Sequence, residues 1–107
     1  MTERAGARPG LFDKFFDALP EGAYVGVLGR TASRTIALNP HLRLIFGWSA
    51  TAPASEVRPF DAERFLDDQA RGEFLQKLTQ DGQVEAYLLR LRRANGTAFW
   101  VEVTAHA

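Results

Sequence analysis

The sequence predicts an α+β domain: an antiparallel sheet with short helices laid on one face. Three features carry that expectation. Strand-like runs joined by turn residues stand near both ends of the chain, at 23–38 and at 84–105. Asn95-Gly96, inside the second run, is a strong short-range hairpin signal. Between the two runs lie segments whose apolar residues recur at helical spacing.

In chain order, residues 1–10 are polar and rich in breakers and read as a flexible lead-in, with the domain spanning 11–107. Leu11, Phe12, Phe15, Phe16 and Leu19 form the apolar stripe of an amphipathic helix ended by Pro20 and Gly22. A strand at 23–28, a turn at 29–33 and a strand at 34–38 make the first hairpin. Asn39-Pro40 then opens a helix, with Asn39 as cap and Pro40 at the first helical position. Leu42, Leu44, Ile45 and Phe46 supply its apolar face, and Gly47 ends it. Residues 49–59 read as irregular with one short helical turn, and 60–66 as another short helical piece. A longer helix starts at Asp67 or Asp68, where carboxylates complement the positive end of the helix, and stops at Asp81-Gly82. Strands at 84–92 and 98–105 close the chain, and the Asn95-Gly96 turn between them is expected to place both central residues at positive φ.

Composition narrows the function. A chain of 107 residues suits one domain, and 46% hydrophobic with 24% charged residues is ordinary for a globular one. Thirteen basic residues balance thirteen acidic ones, which argues against a protein that mainly grips nucleic acid or anionic lipid. No apolar run is long enough to span a membrane, and the N-terminus lacks the apolar core of a secretory signal. The expected compartment is the cytoplasm. With no cysteine there is no disulfide, thiolate metal site or cysteinyl adduct, and the two histidines, His41 and His106, are too far apart in sequence for a histidine-rich metal site.

Taken together, Leu19-Pro20-Glu21-Gly22, Asn39-Pro40, Phe46-Gly47-Trp48, Arg71 with Phe74-Leu75, Leu89-Arg90-Leu91-Arg92-Arg93 and Asn95-Gly96-Thr97-Ala98-Phe99-Trp100 resemble the pattern of a PAS domain. The resemblance covers about Leu11 to the end and lies in the order and spacing of short motifs. PAS domains are sensory and interaction modules of signalling proteins, mostly bacterial histidine kinases, cyclic-dinucleotide enzymes and transcription regulators. The likeness implies a five-stranded antiparallel sheet enclosing a small-ligand pocket, and an N-terminal helix that mediates dimer contacts. It also implies an output domain, such as a histidine kinase, elsewhere in a parent protein. The sequence supplies four strands, so the family's fifth, C-terminal strand is missing from the expected fold.

Alternation in the last hairpin puts Leu89 and Leu91 on one face, and Phe99, Val101 and Val103 opposite Trp100, Glu102 and Thr104. The candidate pocket lining is Phe46, Phe65, Phe74, Leu75, Leu89, Leu91 and Val101. A solid core with no cavity is the competing reading. Trp100 falls on the outer face and, with Phe12, Phe15, Phe16 and Leu19, forms a candidate homodimer interface; the competing reading has the helix covering its own sheet. No catalytic or metal site is expected. Haem is disfavoured because haem-binding PAS domains carry their histidine on the longer helix, which has none here. A cysteine-linked flavin is excluded by composition, a non-covalently bound flavin is disfavoured, and an unidentified small ligand is left open. Arg90, Arg92 and Arg93 read as a solvated strand face. Asp61/Glu63 and Asp67/Asp68 read as helix caps. The resulting expectation is a non-catalytic sensory module, against a purely structural dimerisation domain or a small pocket enzyme.

Overall fold

Local sequence sets each element of the computed structural model, which describes residues 9–107, with side chains from residue 14 onward. Helix α1 spans Pro9–Ala18, so it begins two residues ahead of the expected start. Proline's fixed φ suits a first helical position, where its missing N–H costs nothing. Strands β1 (Tyr24–Leu28) and β2 (Ser33–Leu38) pair antiparallel from Tyr24↔Leu38 to Leu28↔Ser33, with an irregularity between Val25 and Gly26. The turn closes with the Gly29 N–H donating to the Ala32 carbonyl at 2.8 Å.

Asn39 joins this hairpin to the next helix. Its Oδ1 accepts from Leu42 N at 3.0 Å, capping helix α2 (Pro40–Ile45), and from Ala23 N at 2.9 Å. Its Nδ2 donates to the carbonyls of Glu21 (2.8 Å) and Phe16 (3.2 Å). Asn39 is fully buried, so these four bonds satisfy a side chain that would otherwise be costly to place there. Two 3₁₀ turns follow, Ala54–Glu56 and Ala62–Arg64. Helix α3 (Asp68–Asp81) is capped by Asp67, which accepts from Gln69 N at 2.9 Å, and ends on Gly82 at φ +74. That left-handed position favours glycine.

Arg71 of α3 is 4% exposed. Its Nε donates to the Phe60 carbonyl (2.7 Å), Nη1 to Arg30 O (2.6 Å) and Nη2 to Gly29 O (2.8 Å). One planar fork thus ties the β1–β2 turn and the Phe60 loop to the long helix.

Strands β3 (Gln83–Arg92) and β4 (Ala98–His106) pair antiparallel. Val84 faces Ala105 and Tyr87 faces Val103, so Glu85 and Ala86 together oppose Thr104. This bulge puts Ala86 at φ +50. It shifts the side-chain phase by one, so that Val84 on one side and Leu89 and Leu91 on the other are all buried. The connecting turn differs from the expected one. Gly96 alone of its central pair has positive φ (+88), Gly96 N donates to Arg93 O at 2.8 Å, and Arg93 N donates to Thr97 O at 2.8 Å. This is a turn over 93–96 with a glycine bulge, and Asn95 Oδ1 accepts from Thr97 N and Oγ1.

The expected single sheet is corrected. The strands form two two-stranded antiparallel sheets, β1–β2 and β3–β4, which pack on one shared core. The fold is α+β, and no ladder joins the two hairpins because, among the described residues, no strand lies between β1 and β4. The other two edges are covered. Beside β2, Thr35 Oγ1 donates to Val57 O, and beside β3 a bridge pairs Phe65 with Leu91. The core holds Leu38, Leu42, Phe46, Val57, Phe60, Phe65, Phe74, Val84, Leu89 and Leu91.

Two stability outcomes are expected in denaturant titrations. Arg71→Lys keeps the charge but loses the fork, and is expected to cost about 3 kcal/mol. Ala86→Gly relieves a left-handed alanine and is expected to add about 1 kcal/mol; a loss would contradict the bulge geometry.

Candidate functional site

The unpaired edges of β1 and β4 flank an open groove of about 840 Å³. One wall is the run Pro20–Gly26 and the other the run 101–107. Its floor is apolar: Leu42 and Ile45 from α2, Phe46 at the end of that helix, Phe60, and Phe74, Leu75 and Leu78 from α3. The helical spacing of these residues turns them to one side of each helix. Leu44, expected on the same face of α2, instead points outward and is 61% exposed. The volume falls within the range of small-ligand pockets, about 300–1,000 Å³.

Of the candidate lining, Phe46, Phe74, Leu75 and Val101 border the groove. Phe65, Leu89 and Leu91 lie in the core away from it, each essentially fully buried. Phe99, Val101 and Val103 are half-buried against the core, and Phe99 meets Phe46 edge-on at 5.1 Å. Tyr24, Leu42, Ile45, Phe60 and Leu78 complete the site beyond the residues singled out from sequence. The i, i+3 spacings Leu42/Ile45 and Leu75/Leu78 were the available signal for three of them. His41 and His106, 65 positions apart, both border this groove and both are exposed. Glu21 and Glu102 also border it, and among the described residues no lysine or arginine does. Among the described residues no three histidine, cysteine or acidic side chains gather as a metal site would require.

Of the candidate interface residues, Phe15 is 69%, Leu19 45% and Trp100 64% exposed. Phe16 is half-buried, and the Phe12 side chain lies outside the described residues. The helix therefore does not cover Trp100 on its own sheet. Trp100 instead carries the Arg90 guanidinium 5.8 Å from its ring. The other strand arginines turn inward to the fold, correcting the solvated face expected for them. Arg92 donates to the carbonyls of Glu63 and Phe65, and Arg93 sits 4.2 Å over the Phe99 ring.

A polar cluster lies beneath β1. Asp61, buried, accepts from Ser33 N (2.7 Å) and Ser33 Oγ, and pairs with Arg58 at 3.3 Å. It stands at the start of a 3₁₀ turn, but its side chain makes no cap bond, so the expected capping role is replaced by a clamp on β2. The Tyr24 hydroxyl is buried near Ser33 and Thr35 with no partner in good hydrogen-bond geometry. Ser33 Oγ donates to Asp61 and Thr35 Oγ1 donates to Val57 O. The ring packs edge-on to Phe60 at 5.2 Å and lies over Gly26, where a Cβ would run into the hydroxyl and the Arg34 carbonyl. Burial raises the Tyr24 pKa above 10.0, with nearby Asp61 adding to the rise and the Ser33 and Thr35 hydroxyls opposing it.

Comparison with protein-family models and with curated proteins finds no match to this chain. No helix among the described residues is long and apolar enough to cross a membrane.

The tyrosine supplies a prediction with a defined sign. Tyr24→Phe removes an unsatisfied buried hydroxyl and is expected to raise stability by about 1 kcal/mol in denaturant titrations at neutral pH. In the unsubstituted protein the unfolded tyrosine ionises before the folded one, so stability falls as pH rises from about 10 through the raised folded value. The variant is expected to lack that component of the alkaline loss.

Proposed function

We propose that the chain is a PAS-type sensory module without catalytic activity of its own, working in a bacterial signalling protein such as a histidine kinase. The observation that carries this reading is the apolar-floored groove held open between two hairpins, with α2 and α3 beneath it. Further support comes from the element order, the Asn39-Pro40 cap and the exposed Phe15 on α1 and Leu19 just past its end, both ahead of the first hairpin. A small ligand or a partner in the groove favours one packing of the helices against the hairpins. Helix α1, paired with its counterpart in a second copy, passes that bias to an output domain. Exposed large apolar side chains on α1 and on the outer strand faces suit such pairing better than they suit solvent.

The test is the solution mass. Light scattering at tens of micromolar is expected to give a dimer of 11.9 kDa chains. Phe15→Glu combined with Leu19→Glu is expected to give a monomer with an unchanged melting temperature. A monomeric unsubstituted protein would refute the pairing.

A further inference from the structure

We propose that the arginines gathered at the β3–β4 turn bind an acidic segment of a partner protein, with separate guanidiniums meeting separate carboxylates. None of Trp48, Arg64, Arg92, Arg93 and Phe99 borders the groove, so this surface goes beyond the sensory reading and does not depend on it. The junction is laced from both sides. Arg92, at the end of β3, donates through Nη1 to the carbonyls of Glu63 (2.9 Å) and Phe65 (2.8 Å). Arg64, which stands between those two in sequence, donates through its Nη1 to Arg93 O at 2.9 Å. Arg64 lies 5.7 Å from the centre of the Trp48 ring, and Arg93 lies 4.2 Å from that of Phe99. Phe46 sits between these rings, 6.1 Å from Trp48 and 5.1 Å from Phe99. The Arg93 stem passes over Gly47. Carbonyls and rings thus hold three cations at one place.

The chain's own carboxylates do not balance that charge. Glu63 Oε1 is 3.8 Å from Arg64 Nη2 and its side chain is 70% exposed, so water screens the pair. Among the described residues, Arg92 and Arg93 form no ion pair. Donors remain for a partner. Arg92 uses one nitrogen for both carbonyls, which leaves Nε and Nη2, and the Arg93 guanidinium donates to no oxygen among the described residues. All three side chains are half-buried, so they are already positioned while still reached from solvent. An anion relieves the mutual repulsion and takes charge-assisted hydrogen bonds from the open edges. Arg64 and Arg93 lie over different rings, which suits spaced carboxylates better than a single anion. The continuous phosphate chain of a nucleic acid fits less well. Asp67 and Asp68 are exposed shortly after Arg64, and the chain as a whole is neutral, whereas acidic side chains on a peptide can be spaced to avoid them.

The experiment titrates the whole 107-residue chain with a blocked peptide, Glu-Ala-Glu-Ala-Glu-Ala-Glu, and follows the arginine Nε–H and tryptophan indole signals by NMR. The signals of Arg64, Arg92, Arg93 and Trp48 are expected to shift saturably, and added salt is expected to weaken the binding. The same peptide with Gln for every Glu is expected to bind about tenfold more weakly or not at all. Arg93→Gln is expected to weaken binding about fivefold with the melting temperature unchanged, since that guanidinium holds no carbonyl. Arg93→Lys, which keeps the charge and loses the fork, is expected to fall between. Arg64→Gln serves as a second test should the first site prove structural. Absent shifts, equal binding of the Gln peptide, or full binding by both glutamine variants would overturn the proposal. So would matching shifts from inorganic phosphate at the same concentration, which would mark an unselective anion site, or tighter binding of an oligothymidylate, which would mark a nucleic-acid surface. Light scattering of the unsubstituted protein tests the sensory reading separately, so either idea can fail while the other stands.

Discussion

Arg71 is the interaction on which the architecture rests. Two hairpins that share no hydrogen-bond ladder must be held in one domain by other means. The shared apolar core supplies most of the attraction, but apolar contact is non-directional and does not fix how one hairpin sits against the other. The guanidinium fixes helix α3 against the first hairpin, because its three bonds run in fixed directions to carbonyls in the β1–β2 turn and the Phe60 loop. At the other end of that hairpin Asn39 joins the chain before β1 to the start of α2.

Much of this was legible in the sequence where the governing physics is local. The Asn39-Pro40 start, the Asp67 cap and the Gly82 stop each depend on residues within one helical turn, and each stands where the sequence placed it. The Asn95-Gly96 turn was legible as a hairpin but not as a type, because the same dipeptide serves a two-residue turn and a longer one with a glycine bulge. The bulge at Ala86 carried no signal, since an alanine holds the position that glycine or asparagine more often fills. The division into two sheets was likewise hidden. Local pattern identifies strands, whereas the joining of hairpins depends on which edges meet across the fold.

The site divides along the same line. Periodicity identified the inward faces of β3, β4 and α3, and that brought Phe74, Leu75 and Val101 to the groove. It could not separate them from Leu89 and Leu91, which share the inward face of their hairpin but belong to β3, one strand farther from the opening. Tyr24 escaped notice because its role comes from crossing over Gly26, a contact set by the irregularity in β1. Asp61 looked like a cap by position and proved to be a clamp, because Ser33, distant in sequence, reaches it first.

The extra residue in β3 has a consequence for how the chain can change length. Elsewhere in that strand, losing one residue would turn every following side chain inside out. At Ala86 the opposite holds: removing it would leave Glu85 facing Thr104 and restore simple alternation, with Val84, Tyr87, Leu89 and Leu91 still directed at the core. The strand thus contains one point of tolerance, where a shorter chain and the present one are compatible with the same interior.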